Sequence, residues 1–313
     1  MKKVLITGAL GQIGSELTER LRHNLGADNV IATDIREIKD APTVSGGRFE
    51  LLDVLDGERM LSLAKENGVD TIIHLASLLS AVAEAKPQVA WHLNMGGLIN
   101  SLETARKLGL QHFSPSSIAA FGPSTPMDNT PQVTIQRPTT MYGVTKVAME
   151  LLGDYYFTKF GVDTRGVRFP GLISYKTLPG GGTTDYAVDI YIEALKSGHY
   201  DSFIKAGTKM DMMYMPDAID AIVDLLNAPA ENLKDRNAFN ITAMSFEPEE
   251  IAASIRKEIP GFTIGYYDDP RQKIADSWPN SIDASEAKKQ WGFHPKYDLD
   301  AMTKDMLKNL KKG

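Results

Sequence analysis

Cysteine is absent from all 313 residues, which excludes disulfides, a thiolate nucleophile and any cysteine-ligated metal. A surplus of positive charge is lacking as well. The 34 Lys and Arg stand against 40 Asp and Glu, and a net charge of −6 is the wrong sign for a general binder of nucleic acid or anionic membranes. No apolar run approaches the roughly 20 residues of a membrane span, and the run after Met1-Lys2-Lys3 is too short for a signal-peptide core. The cytoplasm is therefore the expected location. Six histidines occur, but no His pair or His–carboxylate cluster has ligand spacing, so no metal is expected. Low-complexity tracts and internal repeats are missing too.

What is present is ordinary for a soluble globular chain: 42% hydrophobic and 24% charged residues. The length suffices for one large α/β domain or two lobes around a sizeable core. Strand-like runs at 3–7, 30–33, 48–51, 71–75, 112–115 and 164–168 alternate with helical patterns at 12–25, 57–67, a long one ending near Leu108, and 141–160. Such alternation predicts right-handed crossovers and an α/β, doubly wound parallel sheet, whose ligands sit beyond the carboxyl ends of the strands. Past Pro170 the rhythm loosens. Prolines at 216, 229, 248, 260, 270, 279 and 295 punctuate short elements, which predicts a smaller C-terminal lobe. The expected division is 1–170 and 171–313, with about 211–243 packing back on the first unit. Within that stretch an amphipathic helix is expected at 215–227 with Asp217 as its N-cap, and the Lys-rich tail is read as a solvated final helix.

The first strand runs straight into Gly8-Ala-Leu-Gly11-Gln-Ile-Gly14 and then into a helix. Three glycines at that spacing allow a tight turn and close approach to a pyrophosphate, with the N-terminal N–H groups of the helix facing the phosphates. Asp34 ends the next apolar run, 20 residues beyond Gly14, where a carboxylate can accept from a ribose 2′-hydroxyl. Taken alone the glycines are a weak signal; the strand, helix and acid around them strengthen it.

Tyr142 and Lys146 stand four apart in a helical stretch and so share a face. A tyrosine is a poor base at its ordinary pKa of about 10 unless a nearby cation stabilises the phenolate. Ser117, 25 residues earlier, follows a strand, where its hydroxyl can orient a substrate oxygen towards Tyr142. Serines after strands are usually turn formers. His74, inside Ile-Ile-His-Leu-Ala, reads as a buried strand histidine rather than a ligand.

Together, Gly-Ala-Leu-Gly-Gln-Ile-Gly, Asp34, Ser117-Ile-Ala-Ala-Phe-Gly and Tyr142-Gly-Val-Thr-Lys146 resemble the extended short-chain dehydrogenase/reductases over essentially the whole chain. That resemblance implies a Rossmann domain with a smaller substrate lobe, NAD as cofactor, and a catalytic set of Tyr142 as base, Lys146 and Ser117. NAD would then meet Gly8, Gly11, Gln12, Ile13 and Gly14, and beyond the second and third strands Asp34, Ile35, Arg36, Asp53 and Val54. Leu75, Ala76 and Ser77 would follow on the fourth strand, with Asn94, Tyr142, Lys146, Phe169 and Pro170 at the nicotinamide end.

Within the superfamily, three segments are similar to the epimerase-like L-threonine 3-dehydrogenases: 115–123, 170–191 and 272–279. The similarity implies a threonine pocket of Ser80, Ser117, Tyr142, Gly181, Gly182, Thr183, Thr184, Asp185 and Trp278. It also implies a homodimer through the long helices. Hydroxyls, backbone N–H groups and Asp185 supply the donors and acceptors that an amino acid needs. Read without the resemblance, 180–185 is a surface turn and Trp278 a core aromatic. Two competing readings stay open: a nucleotide-sugar 4-epimerase or dehydratase of the same fold, and a non-catalytic dinucleotide sensor.

Overall fold

The computed structural model describes residues 1–177, 180 and 182–311. Among these, eight strands form one sheet in which every pairing is parallel. Across the sheet the order is Asn237–Asn240, Thr164–Phe169, Gln111–Phe113, Thr71–His74, Val4–Thr7, Val30–Asp34 and Phe49–Leu51, with Ser116–Ser117 also pairing to Thr164–Phe169. The chain builds outward from Val4–Thr7 in one direction, then crosses back to Thr71–His74 and builds in the other. The strand order therefore reverses between these two strands, and a crevice opens beyond their carboxyl ends.

All four residues of Val4–Thr7 are buried, because helices cover both faces. Val4 and Ile6 meet Leu17 and Leu21 of the helix Gln12–Leu25 together with Ile222 and Leu225. Leu5 points the other way, into a cluster with Met60, Leu63, Leu98 and Leu102. This is the two-residue period of a strand serving two cores. The six expected strands are all present, with ends shifted by a residue or two. The largest difference is at 112–115: the strand is Gln111–Phe113, and the chain re-enters the sheet as Ser116–Ser117 after Pro115, which has no N–H to donate.

The remaining elements surround a third core that includes Tyr186, Tyr191, Phe203, Tyr214 and Phe246. A three-stranded sheet, Met244–Phe246, Met210–Tyr214 and Gly171–Ile173, has one antiparallel and one parallel pairing. A parallel pair joins Thr263–Tyr266 to His199–Ser202. Met210–Tyr214 belongs to the small sheet, whereas the helix Met215–Asn227 packs on the large one and Asn237–Asn240 is that sheet's edge strand.

Asp217 is not the cap of the helix Met215–Asn227. That helix starts two residues earlier, behind Tyr214, with Pro216 in its first turn. The buried Asp217 carboxylate instead accepts from the backbone N–H groups of Lys296 and Tyr297, both at 3.0 Å, clamping the chain that leads into the final helix Leu299–Leu310. No helix of the described residues is long and apolar enough to cross a membrane.

Candidate active site

The glycine turn occupies the reversal point of the sheet. Gly8 has φ +69°, and a Cβ there would lie 2.7 Å from the Ala76 nitrogen, so only glycine lets this turn sit against the end of Thr71–His74. The helix Gln12–Leu25 begins behind Gly11 with no side-chain cap, leaving its first N–H groups directed at the crevice. Asp34 is buried and braces the turn: its carboxylate accepts from the Leu10 N–H at 3.1 Å and the Arg36 N–H at 3.2 Å. The Arg36 guanidinium lies 3.5 Å away on the exposed side. Asp53 accepts from the Leu55 N–H at 2.9 Å, Val54 is buried, and Ile35 is exposed beside Asp34. A cradle of this kind, with bare helix N–H groups and a fixed carboxylate at the next strand end, fits a dinucleotide.

Thr140 caps the helix Met141–Phe160, its hydroxyl accepting from the Gly143 N–H at 3.1 Å. A Cβ on Gly143 would strike the Ala119 carbonyl and the Pro138 ring; its absence lets the first turn lie against 118–120. This contact brings Tyr142 to Ser117. Burial pushes the Tyr142 phenol above its ordinary range, and a hydrogen bond with Ser117 pulls it only part of the way back. Lys146, also buried, donates to the Pro115 carbonyl at 2.6 Å, with its Nζ 5.2 Å from the centre of the Tyr142 ring. Burial lowers its ammonium to about 8, and Glu150 opposes that fall. The expected depression of the phenol by the ammonium is not seen: burial sets its direction, and Ser117 opposes it.

Tyr142, Lys146 and Ser117 open on a cavity of about 170 Å³ that Gln12, Ile13 and Leu75 also line. Ser77, Phe169 and Pro170 line it as well. So do Ser80, Gly182, Thr183, Thr184, Asp185 and Trp278. The Gly182 N–H donates to the Asp185 carboxylate at 2.6 Å, and Thr183 Oγ1 is buried with no partner among the described residues. Trp278 is at once a core aromatic and a cavity wall. Gly181 lies outside the described residues.

Asn94 fastens the long helix Pro87–Leu108 to the loop above Thr71–His74. Its amide oxygen accepts from the Leu78 N–H at 2.8 Å, and its Nδ2 donates to the Leu78 carbonyl at 3.2 Å. Asn94, Ala76, Ser77 and Lys146 share a second, water-sized cavity with His74. His74 is a buried strand residue 2.9 Å from Thr7 Oγ1, and burial drives it to about 3. Among the described residues no group of three or more His, Cys, Asp or Glu could hold a metal ion.

Two features escaped sequence reading. Leu79, Pro115, Ile118, Gly171 and Leu172 also line the main cavity, and none of these residue types signals a site. Glu150, four residues beyond Lys146, ties the helix Met141–Phe160 to Ser116 and Arg168; its place on the Tyr142–Lys146 stripe was the available signal.

The NAD dependent epimerase/dehydratase family matches residues 4–242. An uncharacterized epimerase/dehydratase of Staphylococcus haemolyticus is 60% identical over 312 residues, 99% of this chain and 98% of its own. The structure of an L-threonine dehydrogenase from Clostridium difficile is similar with a TM-score of 0.98 and 67% identity, covering 100% of this chain and 98% of that one. A GalE-like L-threonine dehydrogenase of Cupriavidus necator, in its holo form, gives 0.95 and 48%, covering 98% and 99%. The chain belongs to the NAD-dependent epimerase/dehydratase family, the extended branch of the short-chain dehydrogenase/reductases.

Proposed function

We propose that this chain is an NAD-dependent dehydrogenase that oxidises the C3 hydroxyl of L-threonine to 2-amino-3-ketobutyrate. The observation that carries the reading is the meeting of Ser117, Tyr142 and Lys146 with 182–185 and Trp278 around one small cavity, in a chain 67% identical to the Clostridium difficile L-threonine dehydrogenase.

In this reading the smaller lobe after residue 170 presents the substrate, while the helix Met215–Asn227 and the strand Asn237–Asn240 return to the Rossmann domain. NAD, when bound, supplies the hydride acceptor for C3 and a positive charge beside the phenol. Ser117 donates a hydrogen bond to the substrate oxygen and orients it. Tyr142 takes the proton of the C3 hydroxyl as general base, with Lys146 supplying a fixed positive charge behind the ring. Ser80, Thr183, Thr184, Asp185 and backbone N–H groups of the loop hold the carboxylate and ammonium; the unpartnered Thr183 hydroxyl is a donor of the kind that end requires. Asp34 favours NAD over NADP, since a carboxylate repels a 2′-phosphate, although Arg36 beside it works in the other direction. The exposed Trp91, Leu151 and Tyr155 on the two long helices support a homodimer.

An absorbance assay for NADH with L-threonine tests the proposal, with UDP-galactose run in parallel. Net NADH formation from threonine is the expected result. L-Serine, which lacks only the methyl, should be a weak substrate, because apolar contacts of that size are worth roughly 1–3 kcal/mol. L-allo-Threonine should be far poorer, because its inverted C3 turns the hydrogen away from the acceptor. Epimerisation of UDP-galactose without threonine oxidation would overturn the reading in favour of an epimerase. NAD binding without either reaction would indicate a sensor.

A further inference from the structure

Tyr142, Lys146 and Glu150 form one stripe on the helix Met141–Phe160, each four residues from the next. The stripe grips three consecutive residues of the facing chain. Tyr142 meets Ser117, Lys146 donates to the Pro115 carbonyl, and Glu150 accepts from the Ser116 hydroxyl. Glu150 is 5% exposed, and every lone-pair direction of its carboxylate is in use. Gln136 donates to it at 2.7 Å, and Arg168 forks onto both oxygens at 3.0 and 2.9 Å. Arg168 is held in turn by the Gln132 carbonyl at 2.8 Å and the Asn240 side-chain oxygen at 3.0 Å.

We propose that Glu150 is a positioning residue for the reaction: its buried carboxylate, one helical turn beyond Lys146, keeps the Nζ of that lysine charged and aimed at Pro115. The inference rests on reading Tyr142 and Lys146 as the reacting pair. Four titratable or charged groups surround Lys146. Tyr142 and Glu150 belong to its own helix, His74 comes from the strand Thr71–His74, and Arg168 stands behind Glu150 on Thr164–Phe169. His74 is neutral because burial drives it to about 3, the phenol is protonated, and Arg168 is a cation. Glu150 is the one anion among them. A desolvated ammonium with a single carbonyl acceptor loses its proton readily unless an anion lies close. The burial of Lys146 already brings it to about 8 against the pull of Glu150. A purely structural role, in which Glu150 serves only to neutralise Arg168, would leave the charge state of Lys146 untouched.

The test is an NMR titration of 13C-lysine-labelled protein without cofactor, the Lys146 signal being assigned by its loss in Lys146→Arg. Wild type is compared with Glu150→Asp, Glu150→Gln and the double variant Glu150→Gln/Arg168→Met. The double variant removes both charges and so avoids stranding a buried guanidinium if the single one fails to fold. In Glu150→Gln the Lys146 midpoint should fall by about one pH unit or more, and by less in the double variant, where the more distant Arg168 cation leaves with the anion; the alkaline limb of kcat/KM should move down with it. Glu150→Asp should stay near wild type. An unchanged midpoint in a folded neutral variant overturns the proposal, whatever happens to activity. A wild-type enzyme inert towards threonine, with the midpoint falling as described, would overturn the substrate reading and leave this coupling standing.

Discussion

At the scale of single residues, what each titratable side chain does follows from what surrounds it. Asp211 is 1% exposed, with one oxygen accepting from Thr242 at 2.8 Å and the Ile282 backbone N–H also acting on the carboxylate. Burial raises its carboxyl from 3.8 to about 7. The folded value lies above the unfolded one, so the native state binds the proton more tightly. Stability is then unaffected below the unfolded value and is lost as pH rises towards about 7, by on the order of 4 kcal/mol. Asp211→Asn should therefore be more stable than wild type at alkaline pH and no more stable in acid, as urea unfolding across pH would reveal; a gain that does not vary with pH would refute the linkage. In the proposed mechanism Tyr142→Phe keeps the ring and removes the proton acceptor. It should lower kcat by about 10²–10⁴-fold while NAD affinity, read by fluorescence titration, stays near wild type. Asp34→Ala should narrow the gap between NAD and NADP, but it also releases the Leu10 N–H, so turn order should suffer too. The residues with chemistry in their type (Ser117, Tyr142, Lys146, Asp34) were legible in the sequence. The cavity walls made of Pro115, Gly171 and Leu172 were not, because a backbone carbonyl or an apolar face looks the same in any sequence.

At the scale of elements, the helix Met141–Phe160 matters most because it carries Tyr142, Lys146 and Glu150. Its ends are local features: Thr140 caps one and Gly161, at φ +70°, closes the other. Thr140→Ala should cost about 1 kcal/mol in unfolding free energy, with hydrogen exchange faster in the first turn. Gly143→Ala places a methyl against the Ala119 carbonyl and the Pro138 ring. It should cost roughly 1–3 kcal/mol and reduce kcat more than KM, since the helix must back away from the turn that holds Ser117. A variant with unchanged kcat would show that this contact is not what sets the Ser117–Tyr142 geometry. Helices with strong local signals were read with correct bounds, as Gln12–Leu25 and Met141–Phe160 were. Asp217 looked like a cap because acids favour that place. Its real partners, the N–H groups of Lys296 and Tyr297, are about eighty positions away and no local rule reaches them.

At the scale of the whole molecule, the exposed Leu151 and Tyr155 of one long helix and Trp91 of the other bear on assembly. On the proposed homodimer, Leu151→Glu should shift the sedimentation coefficient from dimer to monomer, and a wild type already monomeric at working concentration would overturn that proposal. The sequence by itself determined the parallel sheet, through alternating apolar runs and helices, and the cofactor cradle, through three glycines at fixed spacing between a strand and a helix. Both rest on local periodicity and backbone sterics. Only the tertiary structure decided that Met210–Tyr214 joins the small sheet while the helix Met215–Asn227 returns to the large one. It also decided that Trp278 and 182–185 close on Ser117 and Tyr142, and that Glu150 reaches Ser116, Gln136 and Arg168 together. Each of these depends on burial and on partners distant in the chain, so the charge of Lys146 and the height of the Tyr142 phenol belong to the fold.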